Sequence, residues 1–389
     1  TLMRSSAASD VYKRQLLVSY IITGILLLVL AVLLYKLNLD KGKVTAGITG
    51  IYVVSAFAGG FLIGKLQKVR KFIWGLMLGI LYFLLLVLVF TLPNMVSSIQ
   101  SRIHQKEQKK IVTEVKKTHK DLFETKYGYQ SLSKEGKRVY SLMYYGIFNR
   151  KKEIEIEQVT TKRMEDILKQ MESDCPELFW FDFTGNIKWK TSGTKKNVVF
   201  LPHYIFTKEQ TKQYDKKLKK NLALYLSYAD KKETEYEKAY TVYEHLTRRI
   251  SYREGSKYNQ NLISGMVNEE TVCTGYAKSL QYIYQKMGIP CRMVYGRANG
   301  QNHAWNLVQI EGADCYVDPT WGSNNQKMSK GFFGMTEEEL LRGHTLDQGL
   351  KVPKCSSKKN NYYVRQNHYY RQFESVSYTH LRAHETRSN

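Results

Sequence analysis

The sequence predicts an α+β fold preceded by a helical N-terminal region, and three observations support this class. Segments with apolar residues three or four apart, which are typical of helices, alternate with short β-branched and aromatic runs, which are typical of strands. Three uncharged runs of about 20 residues stand at the start of the chain. The 389 residues are also too many for one ordinary domain.

The two ends of the chain are predicted not to belong to the protein. Asp10–Gln15 and Val376–His380 can be encoded by one DNA element read in opposite directions, and they resemble translated sequencing-library adapters. We therefore predict adapter segments at residues 1–15 and 376–389 and exclude both from fold reasoning. The histidines of the C-terminal segment consequently have no claim as ligands.

The three apolar runs predict transmembrane helices. Leu16–Tyr35, Val44–Gly64 and Phe72–Leu92 contain no charged residue, and each is long enough to cross a hydrocarbon core of about 30 Å. The turn after the second run is the more basic, which favours a cytoplasmic position for it and an extracellular position for everything after Pro93. The sequence therefore predicts a multi-pass protein of the cell membrane that contacts the lipid bilayer through three spans.

Changes in composition divide the remaining chain into segments. The Lys-, Glu- and Gln-rich stretch after the last apolar run is helical by propensity and is typical of a stalk. We predict a transmembrane region at 16–93, a helical stalk at 94–126, an α+β helper region at 127–231, a second α+β domain at 232–355 and a tail at 356–375.

The helper region and the start of the second domain contain clear secondary-structure signals. A helix is predicted from Thr161, because its apolar residues share one stripe. Capping boxes at Thr207 and Thr234 begin two more helices. The segments CPELFWFDF, from Cys175, and NVVFLPHYIF, from Asn197, are predicted strands.

Charge and cysteine usage limit the partners. The net charge of +24 is most often a solvated surface, but outside a cell it could also hold anionic cell-wall polymers or lipid headgroups. No nucleic-acid partner is predicted, because no recognisable reading motif accompanies the charge. The five cysteines lack zinc-site spacing, and neither a calcium loop nor a glycine-rich phosphate loop is found. We therefore predict no metal and no cofactor.

A cysteine stands at the start of a predicted helix. Ala277, Leu280 and Tyr284 follow helical spacing, and Gly288 provides a C-terminal stop, so Cys273 lies at or just before the first turn. Unpaired backbone N–H groups and the helix dipole stabilise a thiolate there and lower the pKa of the thiol. Because small buried cysteines are common in cores, this position favours a nucleophile but leaves a packing role open.

Two strands downstream contain the residues that a reactive thiol needs. His303–Ile310 and Cys315–Trp321 are predicted strands, joined by a two-residue turn at Glu311-Gly312. This register places Asp318 opposite Trp305 and diagonal to the histidine, on the same face of the sheet.

This geometry is compatible with a triad of nucleophile, base and orienting acid. The imidazole of His303 can present one nitrogen to Cys273 while the Asp318 carboxylate holds the other. A lone strand histidine is usually structural, and an aspartate before proline is usually a turn residue. The three residues together, in this order and on this face, favour catalysis.

Three motifs resemble the transglutaminase-like superfamily, in its bacterial surface-protein branch. They are VCTGYAKSLQYIYQKMGIPCRMVYG, HAWNLVQI and YVDPTW, within residues 252–321. The resemblance implies a papain-like α+β core with a nucleophile helix on an antiparallel sheet. By position, Cys273 matches the nucleophile, His303 the base and Asp318 the orienting acid. The upstream segment resembles the helper region that often precedes this domain, and the apolar runs resemble a small bacterial membrane-protein family.

One segment departs from the family pattern. Relatives often have a Ser-Ala-Tyr-like segment about a dozen residues before the cysteine, whereas this chain has KYNQNLISG. Tyr258 and Gln260 are therefore candidates for the second oxyanion donor, and Trp305 is a further candidate for contact with the oxyanion or substrate. Losing one such donor typically costs about 10²–10³ in rate.

The predicted function is a membrane-anchored, extracellular thiol enzyme that acts on protein or peptide amide bonds through a thioester. Transfer to water would make it a peptidase or amidase, and transfer to a lysine amine would make it a cross-linker. The sequence does not choose between these two outcomes. The alternative is a catalytically inert transglutaminase-like binding or scaffold module at the cell surface.

Overall fold

The chain divides into two compact units, residues 1–104 and 105–389, and every candidate site residue lies in the second. The structure is a computed structural model, and it describes Ile21 and residues 71–183, 188–192, 197–324, 327–347 and 352–366.

The prediction of three transmembrane helices is wrong as part of the fold class. In the part of the chain that the structure describes, no helix is both long and apolar enough to cross a membrane. Apart from Ile21, Leu16–Tyr35 and Val44–Gly64 lie outside the described residues. The third run begins inside a helix of 48 residues, Lys71–Thr118, which continues into the lysine-rich segment. This helix therefore continues past the end of the apolar run, and the run alone was not enough to predict a membrane-spanning helix. The cell-surface location stays a prediction.

Of the helices named below, the first begins in the first unit and the others lie in the second. In chain order the helices of the described residues are α1 (Lys71–Thr118), α2 (Lys120–Glu124), α3 (Tyr127–Ser131), α4 (Lys134–Phe148), α5 (Thr161–Asp174), α6 (Lys208–Ala229), α7 (Glu235–Arg249), α8 (Leu262–Met266), α9 (Cys273–Lys286), α10 (Pro319–Gly322), α11 (Glu337–Leu340) and α12 (Tyr362–Arg365).

Within the described ranges, the strands form one five-stranded sheet and three small ones. They are β1 (Ile154–Ile156), β2 (Lys188–Ser192), β3 (Asn197–Leu201), β4 (Ser251–Tyr252), β5 (Glu270–Thr271), β6 (Cys291–Ala298), β7 (Gln301–Ile310), β8 (Ala313–Val317), β9 (Ser323–Asn324), β10 (Lys327–Met328), β11 (Phe333–Met335) and β12 (His344–Leu346). The main sheet has the order β11-β8-β7-β6-β12, and each neighbouring pair is antiparallel. The order of the helper sheet is β1-β3-β2.

Helix α9 packs on the main sheet through its apolar face, as the sequence predicts. Ala277, Leu280 and Tyr284 are fully buried. The Asn306 side chain of β7 donates a hydrogen bond of 3.0 Å to the carbonyl of Ala277, which ties the sheet to the middle of the helix. The start of α9 is thereby fixed relative to β7.

The predicted register of β7 and β8 is confirmed. Asn306 pairs with Val317, and the turn between the strands has positive φ at both Glu311 (47°) and Gly312 (76°), as a type I′ turn requires. The second strand is shorter than predicted and ends at Val317, because Asp318 caps α10 and Pro319 begins it.

The helix signals of the helper region and of the start of the second predicted domain are confirmed, and one predicted strand is wrong. The Thr207 and Thr234 capping boxes are both present, and the helix predicted from Thr161 is α5. The segment from Cys175, predicted as a strand, instead begins with the 3₁₀ turn Pro176–Leu178. Proline suits the first position of a helical turn because its φ is fixed and its missing N–H is not needed there.

Candidate active site

Cys273 is the first residue of α9 and is half-buried. Its own N–H precedes that of Gly275, which donates to the carbonyl of the capping residue Val272 (3.0 Å), so it has no acceptor within the helix. The turn lies close to its neighbours because Gly275 has no side chain. A Cβ at that position would be 1.8 Å from the Thr271 hydroxyl oxygen and 2.9 Å from that of Ser264. The sulfur is therefore held at a closely packed helix start.

His303, near the start of β7, connects Cys273 with Asp318. The ring is 9% exposed, and its Nε2 atom is 2.8 Å from Oδ2 of Asp318. The Cys273 sulfur lies near the same imidazole, whose hydrogen bonding and charge lower the pKa of the thiol. Because Nε2 is engaged by the carboxylate, Nδ1 is the ring nitrogen available to the sulfur. The imidazole thus lies between a thiol and a carboxylate.

Asp318 is fully buried, and both of its oxygens accept hydrogen bonds. Oδ1 accepts the backbone N–H groups of Thr320 (2.9 Å) and Trp321 (3.1 Å), as expected for the cap of α10. Oδ2 accepts from His303 and also from His344, whose Nε2 is 2.9 Å away. The carboxylate is therefore fixed from four directions.

The electrostatics of the site favour an ion pair. Burial disfavours the thiolate of Cys273, but hydrogen bonds from His303 and from the Ala304 N–H, together with the imidazolium charge, hold its pKa below the usual value of 9.0. Burial likewise disfavours a charged His303, yet the Asp318 carboxylate and the thiolate raise its pKa to about 10. Despite complete burial, the histidines keep the pKa of Asp318 well below its usual range.

The other predicted site residues lie in two different environments. Tyr258 and Gln260 line a cavity of about 390 Å³ together with Thr274, the residue after the cysteine. The Tyr258 ring packs on Phe206, with 4.9 Å between centroids. Trp305 is fully buried beside His303, with 5.9 Å between ring centroids, so its indole packs in the core and presents no surface to a substrate.

The sequence interpretation missed His344. This residue lies on β12, 26 positions after Asp318, and its only local signal is a lone histidine in a short segment. It also did not identify the Ala304 N–H as a partner of the Cys273 sulfur, since a backbone group has no sequence signature.

One potential ligand atom from each of His303, Asp318 and His344 lies within 4.8 Å of the other two, close enough for a metal to be considered. Both imidazoles contact one carboxylate oxygen, at 2.8 and 2.9 Å, which are lengths of N–H···O hydrogen bonds. A metal between these groups would need each ligand atom about 2 Å from the ion. The arrangement is therefore a hydrogen-bond network around a carboxylate.

A family comparison covers this region. Residues 223–319 match the family model described as the transglutaminase-like superfamily. This domain is transglutaminase-like. The match includes Cys273, His303 and Asp318 and ends before His344. A second match, to a family described as a protein of unknown function (DUF3792), covers residues 11–105.

Solved structures resemble part of this chain at low sequence identity. One described as a TGase has 14% identity and a TM-score of 0.27, covering 43% of this chain and 50% of its own. A candidate cysteine protease from Cytophaga hutchinsonii has 15% identity and a TM-score of 0.25, covering 35% and 61%. A candidate protease from Parabacteroides distasonis has 12% identity and a TM-score of 0.22, covering 34% and 35%. The chain thus spans about half the length of the first of them, and no curated protein matches it.

Proposed function

We propose that the transglutaminase-like domain is a thiol enzyme that transfers acyl groups from protein or peptide amides. The observation that carries the proposal is that one imidazole, that of His303, bonds the buried Asp318 carboxylate at 2.8 Å and also lowers the pKa of the nearby Cys273 thiol. A thiol placed only for packing does not need a base that is itself oriented by a buried acid.

The first half-reaction follows from the charges of the site. The Cys273 thiolate attacks the amide carbon, a C–S bond forms, and the carbonyl electron pair moves to the oxygen. The N–H groups of the first turn of α9 lie where they can stabilise this oxyanion. The His303 imidazolium then gives its proton to the amide nitrogen as the C–N bond breaks, which leaves a thioester and a neutral imidazole.

The second half-reaction uses the same groups in reverse. Neutral His303 takes a proton from water or from an amine, which attacks the thioester carbon. The C–S bond breaks, and the thiolate–imidazolium pair is restored. Asp318 acts as a positioning residue that keeps the ring orientation and stabilises its charge in both halves. Water as acceptor gives hydrolysis, and a lysine amine gives a cross-link.

The test is a search for products with the full chain and its Cys273→Ala variant. Peptide and protein substrates are incubated with each, and ammonia, cleaved peptides and cross-linked peptides are measured by mass spectrometry. Any of the three that requires Cys273 supports the proposal. Cleaved peptides identify water as the acceptor and cross-linked peptides identify an amine, whereas ammonia is released with either. The same product yield from both proteins would instead favour an inert binding or scaffold module.

A further inference from the structure

A second histidine contacts the acid of the candidate triad. His344 begins β12, where it pairs with Ala298 of β6 at the edge of the main sheet, and its side chain is 3% exposed. The strand can lie this close because Gly296 has no Cβ, which would be 2.0 Å from the Thr345 carbonyl and 2.7 Å from the Trp305 ring. The local packing thus brings His344 to the acid.

The His344 ring is held by two aromatic neighbours and by the Asp318 carboxylate. Trp321 packs against it with 4.4 Å between ring centroids, and Trp305 with 5.0 Å. Its Nε2 atom is directed at Oδ2 of Asp318, the same oxygen that His303 contacts. An ionised carboxylate only accepts hydrogen bonds, so Nε2 of His344 must carry a hydrogen.

We propose that His344 is a positioning residue of the thiol site, whose Nε2–H holds the Asp318 carboxylate and takes up part of the charge that Asp318 otherwise directs at His303. This inference rests on the proposed function. Oδ1 is already fixed by two backbone N–H groups, so the bond from His344 completes the four acceptor positions of the carboxylate. The base must both hold its proton before the amide bond breaks and release it afterwards, which a shared carboxylate permits.

The titratable groups around His344 come from several elements. Asp318 precedes α10, His303 lies on β7, and the Cys273 thiol is at the start of α9. Tyr243 of α7 lies near Asp318, but its hydroxyl donates to the Ser329 carbonyl, and burial raises its pKa well above 10.0, so it stays neutral. Arg297 of β6, which pairs with Thr345, is exposed to solvent.

The test compares His344→Phe with His344→Gln in the full chain, with EDTA present throughout. Phenylalanine keeps a ring and removes the donor, whereas the glutamine amide can donate to Asp318. The readouts are the pH midpoint of Cys273 alkylation by iodoacetamide and the NMR titration of His303. His245→Phe is the matched control, because that ring stacks on Tyr228 (3.8 Å).

Loss of the donor leaves more carboxylate charge on His303, so we expect the ion pair to become stronger in His344→Phe. A hydrogen bond to a charged group predicts shifts of about one pH unit, upward for His303 and downward for Cys273. His344→Gln is expected to restore both values. Unchanged values in His344→Phe, or equal shifts in both variants, would overturn the inference.

Two further measurements keep the inference separate from folding and from the proposed function. If His344→Phe does not fold, the wild-type ¹⁵N shifts decide: a proton on Nε2 of His344 between about pH 6 and pH 9 supports the inference, and a bare Nε2 overturns it. An ordinary wild-type Cys273 thiol would count against the proposed function itself. A reactive Cys273 that is insensitive to the donor at position 344 would count against this inference alone.

Discussion

Cys273 and Cys175 lie at opposite ends of helices, and each has a cationic side chain nearby. Cys273 is the first residue of α9, whereas Cys175 follows the last residue of α5. The pKa of Cys273 lies below the usual value. That of Cys175 is raised far above it, mainly by burial and also by Glu177 and Asp174, although Lys126 favours its thiolate. The same functional group thus has opposite properties in two regions.

The difference shows that a neighbouring cation alone does not activate a thiol. The Lys126 ammonium contacts a Glu177 carboxylate oxygen at 2.9 Å and the Asp174 carbonyl at 2.7 Å. Cys175 itself is 1% exposed, and its sulfur is 3.0 Å from the Tyr140 hydroxyl oxygen. At Cys273 the nearby His303 imidazole lowers the pKa of the thiol, and the helix dipole acts in the favourable direction.

The largest expected effect is a contrast between the two thiols in alkylation. With iodoacetamide near neutral pH, Cys273 should react at least about 10³-fold faster than Cys175, because each unit of pKa changes the thiolate fraction about tenfold. Peptide mapping by mass spectrometry measures both sites in one sample. The control is the same reaction in denaturant, where the two rates should converge. Comparable alkylation rates in the folded protein would contradict the difference between the two thiol pKa values.

Removing the imidazole should make Cys273 resemble an ordinary thiol. His303→Ala is expected to reduce its alkylation rate at neutral pH by about 10- to 100-fold, since the thiol pKa returns toward or above its usual value. The matched control is His203→Ala, which removes another histidine–aspartate pair, with 3.2 Å from Nδ1 to Oδ2 of Asp182, at the surface. A similar loss in both variants would show that the effect is not specific to the site.

The pH dependence of unfolding should report the His303–Asp318 pair. The folded pKa of His303, about 10, exceeds its usual 6.5, so the folded chain binds a proton that the unfolded chain releases in this window. The stabilisation is complete below about pH 6.5 and is lost as pH rises through 10.

About 3 kcal/mol of this effect is expected to persist in a Cys273→Ala background, where Asp318 still raises the pKa of His303 and the opposing pH dependence of the thiolate is absent. Denaturant unfolding of that variant should show stability falling across the window. Adding His303→Gln should flatten the curve, and equal slopes with and without His303 would contradict the assignment.

The smallest effect concerns the packing that positions Cys273. Gly275→Ala is expected to destabilise the fold by about 2 kcal/mol and to slow alkylation of Cys273, because the new Cβ overlaps the Thr271 hydroxyl. Gly331→Ala serves as the control, since its Cβ would meet only the Tyr363 ring, at 3.9 Å. Thermal unfolding and alkylation of both variants check the prediction, which fails if the two behave alike.

The parts of the structure that follow from local rules could be predicted from the sequence. Capping boxes at Thr207 and Thr234 and the turn at Glu311-Gly312 are short-range patterns. The turn fixes the strand register, and the register decides which face of the sheet carries His303. The length of the two-residue hairpin was therefore enough to predict that His303 and Asp318 lie close together on one face of the sheet.

The features that sequence reasoning missed depend on tertiary packing. His344 reaches Asp318 only because β12 joins the far edge of the sheet, a pairing that no local pattern specifies. Trp305 was a candidate for substrate contact, but its indole is fully buried beside the histidine rings and packs in the core. The segment from Cys175 has strand-like composition, yet Pro176 begins a helical turn there.

The most direct test of the account is an ultraviolet titration of the thiolate in the full chain, taken as wild type minus Cys273→Ala. The thiolate–imidazolium pair predicts a step of one thiolate with a midpoint below about pH 8, and its loss from that range in His303→Ala. A Cys273 thiolate that forms only near pH 9 or above, with or without His303, would contradict the ion pair and the enzymatic function built on it.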